Sequence, residues 1–187
     1  NKSISKQQLS NIKAQLYKQI LSSLRIIRDE NNIDIQLHEQ MDHARILYNK
    51  GLYLQSLKAL ERLKDMARSY NQITYLQQAL FFEKKIEVLY ITRSMQNRAE
   101  QLSQESDVVT ASLILVNRLS NLSLQLYSWY IQHGHARNEK DLKSLKLFFD
   151  NSFPAEASQA KGFYEKLYLY QSYCWFAFIR LDFLQYY

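Results

Sequence analysis

Apolar residues recur every three or four positions along most of the chain, which is the spacing of one buried face of an α-helix. In the first such segment the apolar stripe consists of Leu9, Ile12, Leu16, Ile20, Leu24 and Ile27. Because strand-rich folds need a turn every few residues, three glycines and one proline in 187 residues also favour long helices. The pattern predicts an all-α fold with helices over 5–28, 34–50, 53–70, 73–91, 108–133, 139–150 and 156–180, and a polar, weakly packed helical segment over 93–107.

The breaks between the predicted helices are short. We expect equivalent hairpin tips, roughly 42, 41 and 47 residues apart, at Gly51, at Thr92 with Arg93, at Gly134 and at Leu181. Helical hairpins bury their apolar faces against neighbouring hairpins, so they form arrays. We therefore expect residues 1–187 to form a single domain, an array of antiparallel helical hairpins.

Two stretches carry a turn flanked by small and aromatic residues. The first contains Ala44, Leu47, Gly51, Tyr53 and Ser56; the second contains Cys174, Ala177, Asp182, Phe183 and Tyr186, with Leu181 in the glycine position. This layout resembles that of tetratricopeptide repeats, although the bulky Tyr186 departs from the small residue of that pattern. The resemblance implies an α-solenoid, a superhelix whose concave face binds peptides or proteins.

The chain as a whole resembles an uncharacterised family of bacterial helical-repeat proteins. The resemblance rests on the turn Lys50-Gly51-Leu52-Tyr53, on the segment Ala136-Arg137-Asn138-Glu139 and on an aromatic-rich helix at 163–179. It implies a scaffold role and supplies no catalytic residue.

The last seven residues resemble the start of a second repeat helix. The inward-facing residues of this incomplete helix would be Phe183, Leu184, Tyr186 and Tyr187. Arrays normally end with a polar capping helix. We therefore expect a fragment of a longer protein, whose aromatic C-terminal end is available for homodimerisation.

The net charge of +6 lies in the N-terminal half. Residues 1–100 hold 16 Lys or Arg against 10 Asp or Glu, and residues 101–187 hold eight of each. A helical-repeat regulator that binds nucleic acid through this basic half is the alternative function. The charges are interspersed, however, and Lys13, Lys18, Arg25 and Arg28 spread around the first helix, so nucleic acid is not the expected partner.

No segment has the length and apolarity of a transmembrane helix, and residues 1–20 lack the apolar region of a signal peptide. Cys174 is the only cysteine, which excludes a disulfide within the chain. We expect a cytoplasmic protein without a membrane partner.

Candidate catalytic and metal-binding residues are few. His38 and His43 are five apart, about 140° around a helix, whereas a shared zinc ion needs a spacing of four. His133-Gly134-His135 is interpreted as a polar turn, and Cys174 among aromatic neighbours as a packing residue. We expect no enzyme activity, no cofactor and no metal.

The expected function is a non-catalytic scaffold that binds a peptide or protein. In the tetratricopeptide-like register, aromatic residues of the groove would pack against the partner and polar residues would set its register. The candidate groove residues are Arg45, Tyr48, Asn49, Asn121, Gln125 and Trp175.

Overall fold

The computed structural model describes residues 6–26, 32–89 and 97–182. Over these ranges the chain forms only helices: α1 (Lys6–Ile26), α2 (Ile33–Asn49), α3 (Tyr53–Ser69), α4 (Ile73–Leu89), α5 (Arg98–His133), α6 (Glu139–Ser152) and α7 (Phe163–Arg180), with a short 3₁₀ turn at Ala155–Gln159. The predicted all-α helical array is confirmed.

The chain divides into two compact units, Asn1–Glu39 and Gln40–Tyr187. In the second unit α3 packs against α4, α4 against α5, and α5 against α7. Each of these helices presents a face of small and aliphatic residues to its neighbours. That residues 1–187 form a single repeat domain stays a prediction.

The core around α5 consists of two apolar clusters. One combines α5, α6 and α7 through Leu122, Leu126, Leu145, Phe149 and Ile179. The other places Ala157, from the 3₁₀ turn, against Leu115 and Leu119 of α5. Helix α6 therefore covers the C-terminal half of α5, and the 3₁₀ turn covers part of its middle.

Two predicted boundaries were wrong. The segment before residue 108 is not a separate, weakly packed helix, because α5 runs without interruption from Arg98. Its polar first turns are held by buried Leu102 and Ser106 and by ion pairs from Arg98 and Glu105. The last helix begins at Phe163 and not at 156, since the 3₁₀ turn and a short loop come first. At the end of α4, Leu89 is exposed.

Several predictions fall on residues outside the described ranges. They are the hairpin tip at Thr92 and Arg93, the inward-facing Ile27, and the aromatic end formed by Phe183, Leu184, Tyr186 and Tyr187. The homodimer through that end stays a prediction.

Three helices end with the same hydrogen bond. In each, a residue with positive φ is followed by an N–H that donates to the carbonyl five residues back, which satisfies a free carbonyl of the last turn. The positive-φ residues are Gly51 (74°), Asn71 (56°) and Leu181 (59°), and the bonds are Leu52 to Leu47 (2.9 Å), Gln72 to Ala67 (2.7 Å) and Asp182 to Ala177 (3.0 Å). Leu181 thus occupies the turn position that the sequence assigned to it.

Small residues sit where helices approach closely. The buried Ser56 of α3 donates its hydroxyl to the Ala44 carbonyl of α2 at 2.7 Å. The buried Ser172 of α7 likewise lies 3.3 Å from the Leu119 carbonyl of α5. A larger side chain at either serine would push the two backbones apart.

A buried ion pair connects α3 with α4. The Lys64 ammonium, in a side chain only 1% exposed, lies 2.7 Å from a Glu83 carboxylate oxygen and 2.8 Å from Glu61. Arg98 of α5 binds the other oxygen of Glu83. The hydrogen bond from Lys64 lowers the pKa of the Glu61 carboxyl below its ordinary value. Two cations and two carboxylates therefore balance one another between three helices.

Removing Lys64 should destabilise the fold. We expect Lys64→Met to lower the free energy of unfolding by about 3 kcal/mol or more, because Glu83 then keeps a buried charge after losing one of its two cationic partners, Lys64 and Arg98. Urea denaturation measures this loss. Lys58→Met, at an exposed position of the same helix, is the control. The double variant Lys64→Met with Glu83→Met should be more stable than Lys64→Met alone, and equal losses for Lys58→Met and Lys64→Met would contradict the role of the pair.

The positive φ of Gly51 generates a second prediction. A Cβ at this position would meet no atom within 4 Å, so a substitution changes backbone strain alone. We expect Gly51→Ala to cost about 1 kcal/mol of unfolding free energy, and Gly51→Asn to cost less, because asparagine tolerates this conformation better. Thermal unfolding of both variants tests the order, and a smaller loss for alanine than for asparagine would contradict it.

Candidate binding groove

The middle of α5 carries an apolar face that lines an open groove. Val108, Ala111, Ile114 and Leu115 lie on this face, next to Arg118. The chain that leaves α6 passes beside it, because Pro154 and the 3₁₀ turn redirect the backbone and Ala157 anchors it to Leu115 and Leu119. Helix and returning chain form the two walls of a groove.

This groove, which we call the α5 groove, has a volume of about 880 Å³. That volume lies within the range of sites that bind small molecules or short peptide segments. Val108 is 70% and Ile114 49% exposed, so aliphatic surface faces solvent there. The opposite wall is polar and consists of Glu156, Ser158, Gln159, Lys161 and Gly162.

An ion pair joins the two walls. Both carboxylate oxygens of Glu156 accept hydrogen bonds from the Arg118 guanidinium, at 3.0 and 3.1 Å. The backbone N–H of Glu156 and the Arg118 guanidinium hold the pKa of the Glu156 carboxyl below its ordinary value. Both hydrogen bonds come from the same guanidinium nitrogen, Nη1. The 3₁₀ turn is thereby tied to α5 at the rim of the groove.

Glu165 forms the end of the α5 groove. One of its carboxylate oxygens accepts the N–H groups of Lys161 (2.6 Å) and Gly162 (2.8 Å), and the other accepts the Ser112 hydroxyl of α5. Burial raises the pKa of this carboxyl, but the hydrogen bonds from Ser112, Gly162 and Lys161 outweigh burial, so that its pKa lies below the ordinary value. Glu165 therefore fixes the start of α7 to α5.

A second, smaller pocket lies on the other side of Glu165. It has a volume of about 200 Å³ and shares Ser112, Gly162 and Glu165 with the α5 groove. Its remaining lining comes from the turn between α3 and α4, and from α5 and α7: Ala67, Arg68, Asn71, Ile73, Leu76, Val116, Phe163 and Tyr164. The Glu165 carboxylate thus separates two concave surfaces.

Trp175, one of the sequence-predicted groove residues, belongs to an aromatic cluster between α5 and α7. Its ring centroid lies 5.2 Å from that of Tyr127, 5.9 Å from Tyr130 and 5.7 Å from Phe178. A pocket of about 240 Å³ opens beside it, between Gln171, Cys174, Trp175 and Phe178. Trp175 thus has a packing role and also lines a concave surface.

The other predicted groove residues lie elsewhere. Tyr48 packs against Tyr53 and Phe82, with the Lys85 ammonium 4.7 Å from its ring centroid. Arg45 lies 3.7 Å from Asp42, on the surface of α2. Asn49, Asn121 and Gln125 are exposed. The Tyr48 cluster thus belongs to α2, α3 and α4, and the Trp175 cluster to α5 and α7. That the six residues line one groove stays a prediction.

Both histidines of the turn at 133–135 contact backbone carbonyls. The His133 Nδ1 lies 3.0 Å from the Trp129 carbonyl, and the His135 Nδ1 lies 3.0 Å from the Phe178 carbonyl. The His135 ring also contacts Tyr130 and Phe178. No group of three or more His, Cys, Asp or Glu with metal-binding geometry occurs among the residues that the structure describes.

Comparisons with known proteins yield no relative: no family model, no curated protein and no solved structure matches the chain. Within the described ranges, none of the helices has the length and apolarity needed to cross a bilayer. The functional interpretation therefore rests on the geometry of the α5 groove and its neighbours.

Sequence reasoning missed the α5 groove. The available signal was weak: Val108 and Ile114 are aliphatic residues that fall outside the buried stripe of α5. Single exposed aliphatic residues are common on protein surfaces. They form a groove here only because the chain at 155–162 lies opposite them, and that placement follows from the tertiary contacts of Ala157, Arg118 and Glu165.

The hydrogen bonds of Glu165 predict a pH dependence of stability. Its folded-state pKa is lowered, so its contribution is present above the ordinary glutamate value of 4.5 and is lost as the pH falls through the lower folded value. We expect Glu165→Gln to be less stable than the unmodified chain by about 1–2 kcal/mol at pH 7 and the difference to shrink in acid. Urea denaturation across this pH range provides the measurement. The exposed Glu100→Gln is the control, and a difference that stays constant with pH would refute the prediction.

Proposed function

We propose that this protein is a non-catalytic helical-repeat scaffold that binds a peptide or protein segment in the α5 groove. The observation that carries the proposal is the groove itself. Its volume is about 880 Å³, and an exposed aliphatic wall faces a polar wall across it. Surfaces of this type bind segments that bring apolar side chains and a hydrogen-bonding edge.

Each wall has a distinct part in binding. Val108, Ala111 and Ile114 would pack against apolar side chains of the partner, and this burial would supply most of the affinity. Gln159 and Lys161, on the opposite wall, would hydrogen-bond the polar groups of the partner and set its register. A partner with spaced apolar side chains and one polar face fits both walls.

The groove is held in shape before binding. Three contacts fix its polar wall to α5: the Arg118–Glu156 ion pair, the Glu165–Ser112 hydrogen bond and the packing of Ala157. A pre-organised surface loses less conformational entropy on association than one that must order. These contacts favour a binding surface over a mobile loop region.

The carboxylates of the groove support a non-catalytic role. Glu156 is paired with Arg118, and Glu165 accepts three hydrogen bonds with a lowered pKa. A general acid or base needs a pKa raised towards neutrality and an open approach to the proton. In both groups the pKa is instead lowered.

Features of the sequence support the same proposal. The resemblance to tetratricopeptide repeats and to the bacterial helical-repeat family is consistent with a scaffold, and the pocket beside Trp175 offers a second contact area for a long partner. The single cysteine accords with a cytoplasmic location.

Peptide selection tests the proposed groove. Peptides selected from a random phage-displayed library against the whole chain would be synthesised, and their affinities measured by titration calorimetry. We expect Val108→Glu with Ile114→Glu to weaken binding about tenfold or more, because each carboxylate would be desolvated against the apolar face of the peptide.

The matched control is Val88→Glu with Ile131→Glu. It makes the same two changes at exposed positions outside the α5 groove. Its affinity should equal that of the unmodified chain. Equal losses in both variants, or selected peptides that bind the groove variant at full strength, would overturn the assignment of the site.

A further inference from the structure

The entire net charge of the chain resides in its first segment. Residues 1–28 contain six Lys or Arg and neither Asp nor Glu, whereas residues 29–187 contain 18 basic and 18 acidic residues. The net charge of +6 therefore belongs to residues 1–28, which include α1, and the remainder of the chain is formally neutral. Such an asymmetry predicts an anionic partner for this segment.

Helix α1 also carries an unpartnered apolar stripe. With 100° per residue, five aliphatic residues fall within a sector of about 120°. Each of them is between 45% and 55% exposed: Leu9, Ile12, Leu16, Ile20 and Leu24. Tyr17 and Leu21 extend the apolar surface on one side and are exposed too. An aliphatic stripe of this length is costly to leave in water.

The other side of α1 consists of neutral polar residues and lysine. Lys18 points away from the stripe. Lys13 falls within the sector of the stripe, and its long side chain can carry the ammonium beyond the apolar surface. The hydroxyl groups of Ser22 and Ser23 donate to the Lys18 and Gln19 carbonyls, both at 2.9 Å. These serines have satisfied their hydrogen bonds within the helix, so that they can approach an apolar medium at reduced cost.

We propose that α1 binds the surface of an anionic lipid bilayer. The helix lies parallel to the membrane plane, with the aliphatic stripe at the boundary between headgroups and acyl chains. The basic residues bind the negative headgroups, and Lys13 extends its ammonium to them from the edge of the stripe. This mode requires no spanning helix, so it is compatible with the finding that none of the described helices could cross a bilayer.

The expectation of a chain without a membrane partner rested on spanning segments alone. A helix that lies in the interface needs an apolar face and cationic residues, not a long apolar run. Helix α1 has both features and has polar residues at regular intervals. The inference therefore replaces that expectation for α1 and leaves the α5 groove and its proposed partner unchanged.

Two other occupants fit α1 less well. A second copy of α1 would bring two basic helices together without any acidic residue to pair with them. Nucleic acid, the alternative considered from the sequence, binds through clustered cations with stacking aromatics and has no use for an aliphatic stripe. Tyr17 is the only aromatic residue of α1. A bilayer alone matches both the charge and the stripe.

Co-sedimentation of the whole chain with lipid vesicles tests the proposal. Vesicles of phosphatidylcholine with roughly one-third phosphatidylserine should bind the chain, and pure phosphatidylcholine should bind it far more weakly. We expect Lys13→Gln with Lys18→Gln to reduce the partition coefficient about thirtyfold, since each cation near an anionic surface contributes a factor of about five. High salt should lower binding in the same direction.

The apolar stripe is tested by Leu16→Gln with Ile20→Gln. Glutamine preserves helix propensity, so the loss of binding reports apolar contact and not helix formation. We expect a reduction of about tenfold or more. Circular dichroism of each variant verifies that the helical content is unchanged.

Two matched controls make the same changes outside α1. Lys140→Gln with Lys146→Gln removes the same charge from α6, and Leu147→Gln with Ile131→Gln makes the same apolar changes at exposed positions. Both should bind vesicles like the unmodified chain. If the controls lose as much binding as the α1 variants, the proposal is wrong.

Two additional measurements separate the other occupants. Concentration-dependent sedimentation without lipid, abolished by the α1 apolar variant, would assign the stripe to a second copy and overturn the proposal. Binding to single-stranded RNA in fluorescence anisotropy, without binding to anionic vesicles, would overturn it in favour of nucleic acid. Vesicle binding that depends on both the lysines and the stripe supports it.

Discussion

The buried ion pair of Lys64 and Glu83 is the interaction on which the packing of α3, α4 and α5 depends. A fully buried ammonium is tolerated only where carboxylates surround it, and Glu83 and Glu61 supply them at 2.7 and 2.8 Å. Arg98 of α5 binds the same Glu83. The α4 carboxylate that pairs with Lys64 of α3 therefore also holds α5 in position. An aliphatic core tolerates small rotations of these helices, whereas such rotations would separate the charged groups of this arrangement.

The position of α5 also determines the shape of the α5 groove. The same helix that receives Arg98 at its start carries Ser112 and Arg118 further along, and these bind Glu165 and Glu156 of the returning chain. Each of these contacts joins residues that are close in space but far apart in the sequence. The shape of the groove is therefore a property of the assembled array, and no segment of the second unit contains it alone.

Sequence periodicity predicted the helices because an apolar face leaves the same three-to-four spacing wherever it is buried. It placed the ends of α2, α3 and α4 within a few residues. Asn138, a residue type common at this position, caps α6 by accepting the Asp141 N–H at 2.9 Å. The periodicity failed where a tertiary contact decides the local structure. The start of α7 depends on Glu165 bonding back to Lys161 and Gly162, and the start of α5 on Arg98 and Leu102 finding partners in neighbouring helices. The candidate site was harder to predict, since Arg118 and Glu156, on the two groove walls, are 38 residues apart in the sequence. Of the predicted set, Trp175 lines a pocket.

The three helix ends at Gly51, Asn71 and Leu181 share one backbone geometry and three different side chains. The hydrogen bond to the carbonyl five residues back is strong enough to hold asparagine, and even leucine, at a φ that favours glycine. Substitution at such a site changes the strain of the turn without changing its path. Hairpin boundaries in this array can therefore drift in composition over evolutionary time while the spacing between helices stays fixed, and a repeat pattern defined by glycine would recognise only the first of the three.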